Sequence, residues 1–406
     1  MRSPNTRYNP AIDQLRGCAA LLILYYHAHE FLLPQIQNVD GYLWPSTLNP
    51  LYALLVEGHS AVALFMVLSG FIFTQVAMGS AINYRAFIFN RVLRIYPLMV
   101  SILLLALALH PEAFRLRGIV KSLLLFFTFP SALNTVLQTM HIAQFLWQST
   151  DIQPWTAIFW TIIPEFQFYF LFPVLLATLD WKGPRAIVGL ICLAIFMRLS
   201  MLVFFGTKVV PVFWYYTLTG RIDQFLLGML AAWFWSNRSN EERARTSKRF
   251  PAACALVLSA LTIFNQLGGL PATGGWRVIW PTVEALAWGA FILTFVARGG
   301  VKLQPFSRSL TWIGEISFSL YLLHWPILIF VNHYAAELFL NSPVGFLGHW
   351  AVVATTFITT FMIAPVVIAI SSTTYVLIEK PFLSRRVRYL RHRAAGHRFS
   401  LGTTTP

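Results

Sequence analysis

The stretch Gln14–Leu32, QLRGCAALLILYYHAHEFL, decides how the rest of the chain is read. It has the length and apolarity of a membrane-crossing helix. It also carries Arg16 at one end and His27 near its middle. Ionisable groups inside hydrocarbon are costly and face a bundle interior or a cavity. At 100° and 1.5 Å per residue, the two lie within about 20° of one face and about 16 Å apart along the axis. One face thus joins a cation at a membrane edge to an imidazole at mid-depth. Two readings compete: a snorkelling arginine with a hydrogen-bonded core histidine, or a chemical site. His29 points away from His27 and reads as structural.

The rest of the chain agrees with a membrane setting. It is 57% hydrophobic and only 11% charged, where a soluble domain carries about 25% charged residues. Apolar runs recur near 11–33, 54–78, 92–110, 118–138, 156–179, 186–205, 212–236, 251–268, 278–297, 310–333 and 348–376. They are continuous rather than alternating, which excludes a transmembrane β-barrel. The expected fold is an all-α polytopic bundle.

Charge sets its orientation. Arg2, Arg7 and Arg16 lie at one end, and Lys380, Arg385, Arg386, Arg388, Arg391, Arg393 and Arg398 at the other. Both termini are therefore placed in the cytoplasm, which needs an even number of spans. If the run near 118–138 does not cross, the basic loop around Arg243 also falls inside. The scheme predicts ten spans plus a partial or re-entrant helix around Gly118–Leu137, where Pro130 suits a broken helix. The membrane domain covers 1–380, and 381–406 is expected to be a flexible basic tail. The net charge of +15 is explained by topology and calls for no nucleic acid. Cys18, Cys192 and Cys254 sit in apolar runs without a C-x-x-C, so they read as packing residues and no metal site is expected. No A-x-A-type cleavage site follows the first run, which reads as a retained helix.

Four further segments place polar groups in apolar runs. FNRVLRIYPL sets Arg91 and Arg94 three apart at a cytoplasmic helix start. Two guanidiniums so spaced suit phosphate groups, or serve as topological anchors. WTAIFWTIIPEFQFYFLFP carries Glu165, with Tyr169 one turn on. A carboxylate there needs a partner or a raised pKa. ISFSLYLLHWPI sets Ser317, Tyr321 and His324 at i, i+4, i+7 on one face, as a cavity lining or an interhelical hydrogen-bond seam. TGRIDQFLLG carries Arg221 and Asp223, which support the site or pair with other buried charges. His27, Glu165 and His324 fall at middle to outer depth, and Arg16, Arg91 and Arg94 at the cytoplasmic face. A phosphate-bearing molecule entering from the cytoplasm meets the arginines first.

The ordered set of motifs resembles the acyltransferase 3 family of bacterial membrane proteins over nearly the whole chain. The set comprises D-x-L-R-G (Asp13–Gly17) running to His27, A-L-F-M-V-L-S-G-F (Ser69, Gly70) and R-x-x-R-I-Y-P (Arg91, Arg94). It continues with the Trp160–Glu165–Tyr169 block and G-R-I-D-x-F-x-x-G (Arg221, Asp223, Gly228), and closes with I-S-F-S-L-Y-L-L-H-W-P and E-K-P-F (Glu379, Pro381). The resemblance implies a ten-helix module that moves an acyl group, usually acetyl from cytoplasmic acetyl-CoA, onto an extracytoplasmic glycan. It also implies functional roles for Arg16, His27, Arg91 and Arg94. The chain departs from the family pattern at Pro164, and no appended esterase-like domain is expected. The module is thus expected to act alone or with a periplasmic transfer partner.

On this reading Arg16, Arg91 and Arg94 hold the phosphates of acetyl-CoA or another acyl-CoA, with no permanently bound cofactor. His27 is general base or transient acyl carrier, roles suited to an imidazole. Glu165 or His324 orients His27 or activates the acceptor hydroxyl. Tyr169, Ser317, Tyr321, Arg221 and Asp223 support the substrate site. The expected partners are membrane lipid and a glycan or lipid-linked saccharide, in a bacterial inner membrane. The rival function is a transporter or exporter, its intramembrane charges lining a substrate path. A polyprenyl-phosphate glycosyltransferase and a membrane scaffold are further alternatives.

Overall fold

A computed structural model of the protein describes residues 9–37, 44–109, 155, 157–207, 214–340 and 351–392. The run around Gly118–Leu137 lies outside the described residues. Helices α1 (Pro10–Gln37), α2 (Pro50–Val56), α3 (Ala61–Ala77) and α4 (Tyr84–Leu109) open the chain. They are followed by α5 (Ile162–Lys182), α6 (Pro184–Phe205), α7 (Leu218–Ser236), α8 (Asn240–Lys248) and α9 (Phe250–Gln266). Then come α10 (Trp280–Arg298), α11 (Phe306–Glu315), α12 (Ser317–Leu340), α13 (Ala351–Ile358), α14 (Ala364–Thr374) and α15 (Lys380–Leu383).

The described parts of the other ten apolar runs are helical, and the protein is a multi-pass helical membrane protein. By length and apolarity, six described segments can cross a membrane, or up to eight if two bent pairs each count as one span. The bent pairs are α8 with α9, at 51°, and α11 with α12, at 78°. Helices α1 and α7 are 28 and 19 residues long and fall outside that set. His27, His29 and Glu30 in one, and Arg221, Asp223 and Gln224 in the other, lower their apolarity. Both pack inside the bundle.

Close backbone approach holds these polar helices in place. Helices α3 and α7 cross at Gly70 and Gly228. A Cβ on Gly70 would collide with the carbonyl oxygen of Phe225, and one on Gly228 with that of Val67. Small residues at a crossing give membrane helices van der Waals contact that lipid cannot offer. Helix α1 meets α11 the same way, Gly314 lying against the backbone of Asp13.

One small sheet departs from the all-helical expectation. Strand β1 (Ser80–Ile82) pairs antiparallel with β2 (Leu390–His392), Ala81 opposite Arg391. The segment expected as a flexible tail is therefore tied to the bundle as far as His392. Two single-turn π-helices, Thr359–Ile363 and Tyr375–Glu379, interrupt the last long helical run. The second carries Glu379 into the interior, where it is 1% exposed.

Candidate active site

Two neighbouring polar centres lie in the bundle. The first is a cavity of about 110 Å³ into which Arg16, Ser69, Arg91, Arg94, Glu165 and Tyr169 project. Helix α1 supplies Arg16, which lies 3.4 Å from Asp13 one turn back. The first half of α4 supplies the other two arginines, and their surroundings differ. Arg94 Nη1 donates to Glu379 Oε2 at 2.8 Å. Glu379 also accepts from Ser319, to which Thr374 donates at 3.3 Å. Arg91 has no carboxylate partner among the described residues. Its guanidinium lies 4.9 Å from the ring centre of Phe73, 5.5 Å from Phe87 and 5.7 Å from Tyr169. Its Nε is buried without a hydrogen-bond partner. An aromatic cage of this kind holds a cation while leaving its donors free for an incoming anion.

Glu165, near the start of α5, accepts from the Tyr169 hydroxyl one turn on and from Ser69 Oγ at 3.3 Å. Glu165 and Tyr169, one turn apart on one face, thus bond to each other, and Glu165 lies in the arginine cavity rather than at the deeper level expected for it with His27. Ser317 and Tyr321 line the same cavity. The Tyr321 hydroxyl bonds to Thr161 Oγ1 at 2.7 Å and closes one wall.

The second centre lies behind that wall. The Tyr321 ring is 5.7 Å from that of His324, which stacks on His27 at 5.3 Å with 26° between planes. The carboxylate against His27 is Glu30, not Glu165: His27 Nδ1 lies 2.7 Å from Glu30 Oε2. A carboxylate in this position fixes the proton on Nδ1 and leaves Nε2 as the basic lone pair. The Trp325 indole meets His27 edge-on at 4.7 Å. His324 is fully buried, and its Nδ1 lies 3.2 Å from the Leu320 carbonyl. Its Nε2 is buried with no partner. His29 bonds to the Tyr25 carbonyl at 2.8 Å, a structural contact.

Arg221 and Asp223 do not pair with each other. Asp223 Oδ2 accepts from Arg198 Nη2 at 2.8 Å and from Thr282. Arg198, fully buried, also donates to the carbonyls of Val278 and Gly220, each at 2.7 Å. Arg221 donates to the Tyr215 carbonyl at 2.9 Å and lies under the rings of Trp160, Trp214 and Tyr215. Another buried pair, Glu57 with His59 at 3.0 Å, takes further bonds from Trp44 and Asn265. These networks satisfy buried charge and lock helices together.

Fold and site together define a multi-pass membrane protein with an acid–base pair beside a cationic cavity. The acyltransferase 3 family model, described as an acyltransferase domain, matches residues 9–373, and the chain belongs to that family. It is similar to the putative peptidoglycan O-acetyltransferase YrhL of Bacillus subtilis, 24% identical over all of this chain and 59% of that protein. It is also similar to the peptidoglycan O-acetyltransferase OatA of Listeria monocytogenes, at 24% identity over 79% of this chain and 50% of the relative. The O-acetyltransferase OatA of Staphylococcus aureus is 25% identical over 83% of this chain and 53% of its own length. The chain thus spans about half the length of these relatives. No solved structure matches it.

Proposed function

We propose that the protein is an O-acyltransferase of the bacterial inner membrane that moves an acyl group, acetyl from cytoplasmic acetyl-CoA, to a glycan hydroxyl. The acceptor lies outside the cytoplasm or on a lipid carrier, and the names of the relatives favour peptidoglycan. Ten spans with both termini cytoplasmic suit this reading, because the arginine cavity then faces the cytoplasm. The observation that carries the proposal is the His27–Glu30 pair, whose contact at Nδ1 leaves Nε2 as the base, one wall away from a cavity bearing three arginines.

In the proposed reaction the arginines hold the donor phosphates, and the pantetheine arm carries the thioester past Tyr321. His27 Nε2 takes the proton of the acceptor hydroxyl as its oxygen attacks the thioester carbonyl. The carbon–sulfur bond breaks, the ester forms, and the proton passes to the departing thiolate. Glu30 holds the imidazole in the required tautomer and stabilises the imidazolium. The alternative route forms acyl-His27 first, Nε2 attacking the thioester carbonyl and expelling the thiolate; the acceptor hydroxyl then displaces the imidazole as its proton passes to that thiolate.

The test is transfer of labelled acetyl from acetyl-CoA to a peptidoglycan fragment by purified protein in liposomes. Wild-type transfer with loss in His27→Ala is expected. Full transfer by a correctly inserted His27→Ala protein overturns the role.

A further inference from the structure

After helix α15 the chain does not leave the bundle at once. Residues 384–389 lead to β2, which pairs with β1 just ahead of α4. Asn90, fully buried on α4, clamps this strap from both sides. Its Nδ2 donates to the Val387 carbonyl at 2.7 Å, and its Oδ1 accepts from the Val387 amide at 3.0 Å. The Asn83 amide donates to the Tyr389 carbonyl at 2.8 Å, and the Tyr389 ring packs on Phe87 at 5.3 Å. Phe87 is one of the rings that cage Arg91. The strap is therefore fixed to the same turn of α4 that presents the cavity arginines.

Arg386 lies at the centre of this strap. We propose that Arg386 is a fourth phosphate-binding residue of the donor site, held beside the arginine-bearing start of α4, just outside the cavity lining, by the Asn90 clamp and the β1–β2 pairing. The inference rests on the reading of a phosphate-bearing acyl donor. Asp13 and Glu379 lie against Arg16 and Arg94. Arg91 and Arg386 have no ion pair among the described residues, and both bury an Nε without a partner. Burial pushes the Arg386 guanidinium down to about 9, with Arg94, Arg91 and Arg16 adding like-charge repulsion. Arginine keeps its proton under such pressure, so the four arginines outnumber the carboxylates of Asp13, Glu165 and Glu379 beside them, and a further anion is accommodated. Coenzyme A offers a diphosphate and a 3′-phosphate, and a guanidinium fork matches each in geometry and charge. A phospholipid headgroup offers the same chemistry, and the test separates the two sources.

The experiment measures coenzyme A and pantetheine binding by calorimetry, using full-length protein in phosphatidylcholine nanodiscs. Wild type is expected to bind coenzyme A more tightly than phosphate-free pantetheine. Arg386→Gln is expected to weaken coenzyme A binding about ten- to a hundredfold, the effect of one charge-assisted contact, and to leave pantetheine binding unchanged. Asn90→Ala keeps the guanidinium but frees the strap, and is expected to weaken coenzyme A binding in the same direction. If Arg386→Gln fails to fold, Arg386→Met, which retains the apolar stem, takes its place. Equal coenzyme A affinity in wild type and the Arg386 variant overturns the proposal while the donor reading stands. No coenzyme A binding by wild type overturns both. Arg386-dependent thermal stabilisation by phosphatidylglycerol nanodiscs, without an Arg386 effect on coenzyme A, assigns the site to lipid and overturns the donor role.

Discussion

Glu30 Oε2 lies 2.7 Å from His27 Nδ1, one turn farther along the same helix. The pair is partly open, Glu30 being 34% exposed, so it is reachable by a substrate and not sealed in the core. A carboxylate at Nδ1 makes Nε2 the only basic nitrogen of that ring. Glu30→Gln keeps the size but lets the amide donate to Nδ1, which favours the wrong tautomer. The expected outcome is a fall in turnover of about a hundredfold or more, with the KM for acetyl-CoA unchanged. Steady-state transfer assays separate the two constants. Wild-type turnover in Glu30→Gln would remove the carboxylate from the mechanism.

Arg91 and Arg94 sit three residues apart yet should respond differently to substitution. Arg94 neutralises Glu379, which is 1% exposed. Arg94→Gln leaves that carboxylate buried and unpaired, at a stability cost of about 3 kcal/mol, seen as a lower Tm in detergent. Among the described residues Arg91 has aromatic rings but no carboxylate against it, so Arg91→Gln should lower Tm less than Arg94→Gln. Its expected effect is a higher KM for acetyl-CoA, since it removes a free phosphate donor. Equal losses of Tm in the two variants would contradict this division.

Asp223 should behave as a structural residue. Its partner is the fully buried Arg198, and Asp223→Asn leaves that guanidinium short of its counter-charge. A loss of stability of about 3 kcal/mol is expected, with the KM for acetyl-CoA unaltered in the protein that folds. A raised KM without a fall in Tm would instead assign Asp223 to the donor site.

Much of this arrangement could be read before any coordinates, and what could not has a common cause. The 3.6-residue period placed Ser317, Tyr321 and His324 on one face, and they do line one side of the two centres. Spacing along one helix also contained the His27–Glu30 pair, since i and i+3 are neighbours. The sequence alone does not single it out, because Glu30 lies near the end of the apolar run and reads as a polar boundary. Arg198 was signalled too, as a lone charge in the apolar run of α6, but nothing local identifies Asp223 as its partner. Likewise Glu379 belongs to a motif, yet its bond to Arg94 joins residues 285 positions apart. Local periodicity fixes which groups share a face. Partners across helices depend on packing, which here turns on close approaches such as Gly70 against Phe225. The strap escaped notice because a run of basic residues beyond the last span normally serves topology alone.

The wall between the two centres allows a last prediction. Tyr321 and Thr161 face the arginine cavity, whereas His27 and His324 do not line it. The Tyr321 ring stands between that cavity and the His324–His27 stack. In the proposed mechanism the ring holds a thioester in the cavity apart from the imidazole base until an acceptor is in place, which limits hydrolysis of the bound donor. Tyr321→Ala removes this barrier. Acetyl-CoA hydrolysis without acceptor should rise several-fold, while transfer to acceptor falls. Tyr321→Phe keeps the ring and loses only the bond to Thr161, whose hydroxyl still donates to the Ile158 carbonyl at 3.3 Å. That variant should lose about 1 kcal/mol of stability and show no rise in hydrolysis. Thiol release from acetyl-CoA, followed with and without acceptor, measures both rates. Unchanged hydrolysis in Tyr321→Ala would mean that the donor reaches His27 by another route, or that water is excluded by a different group.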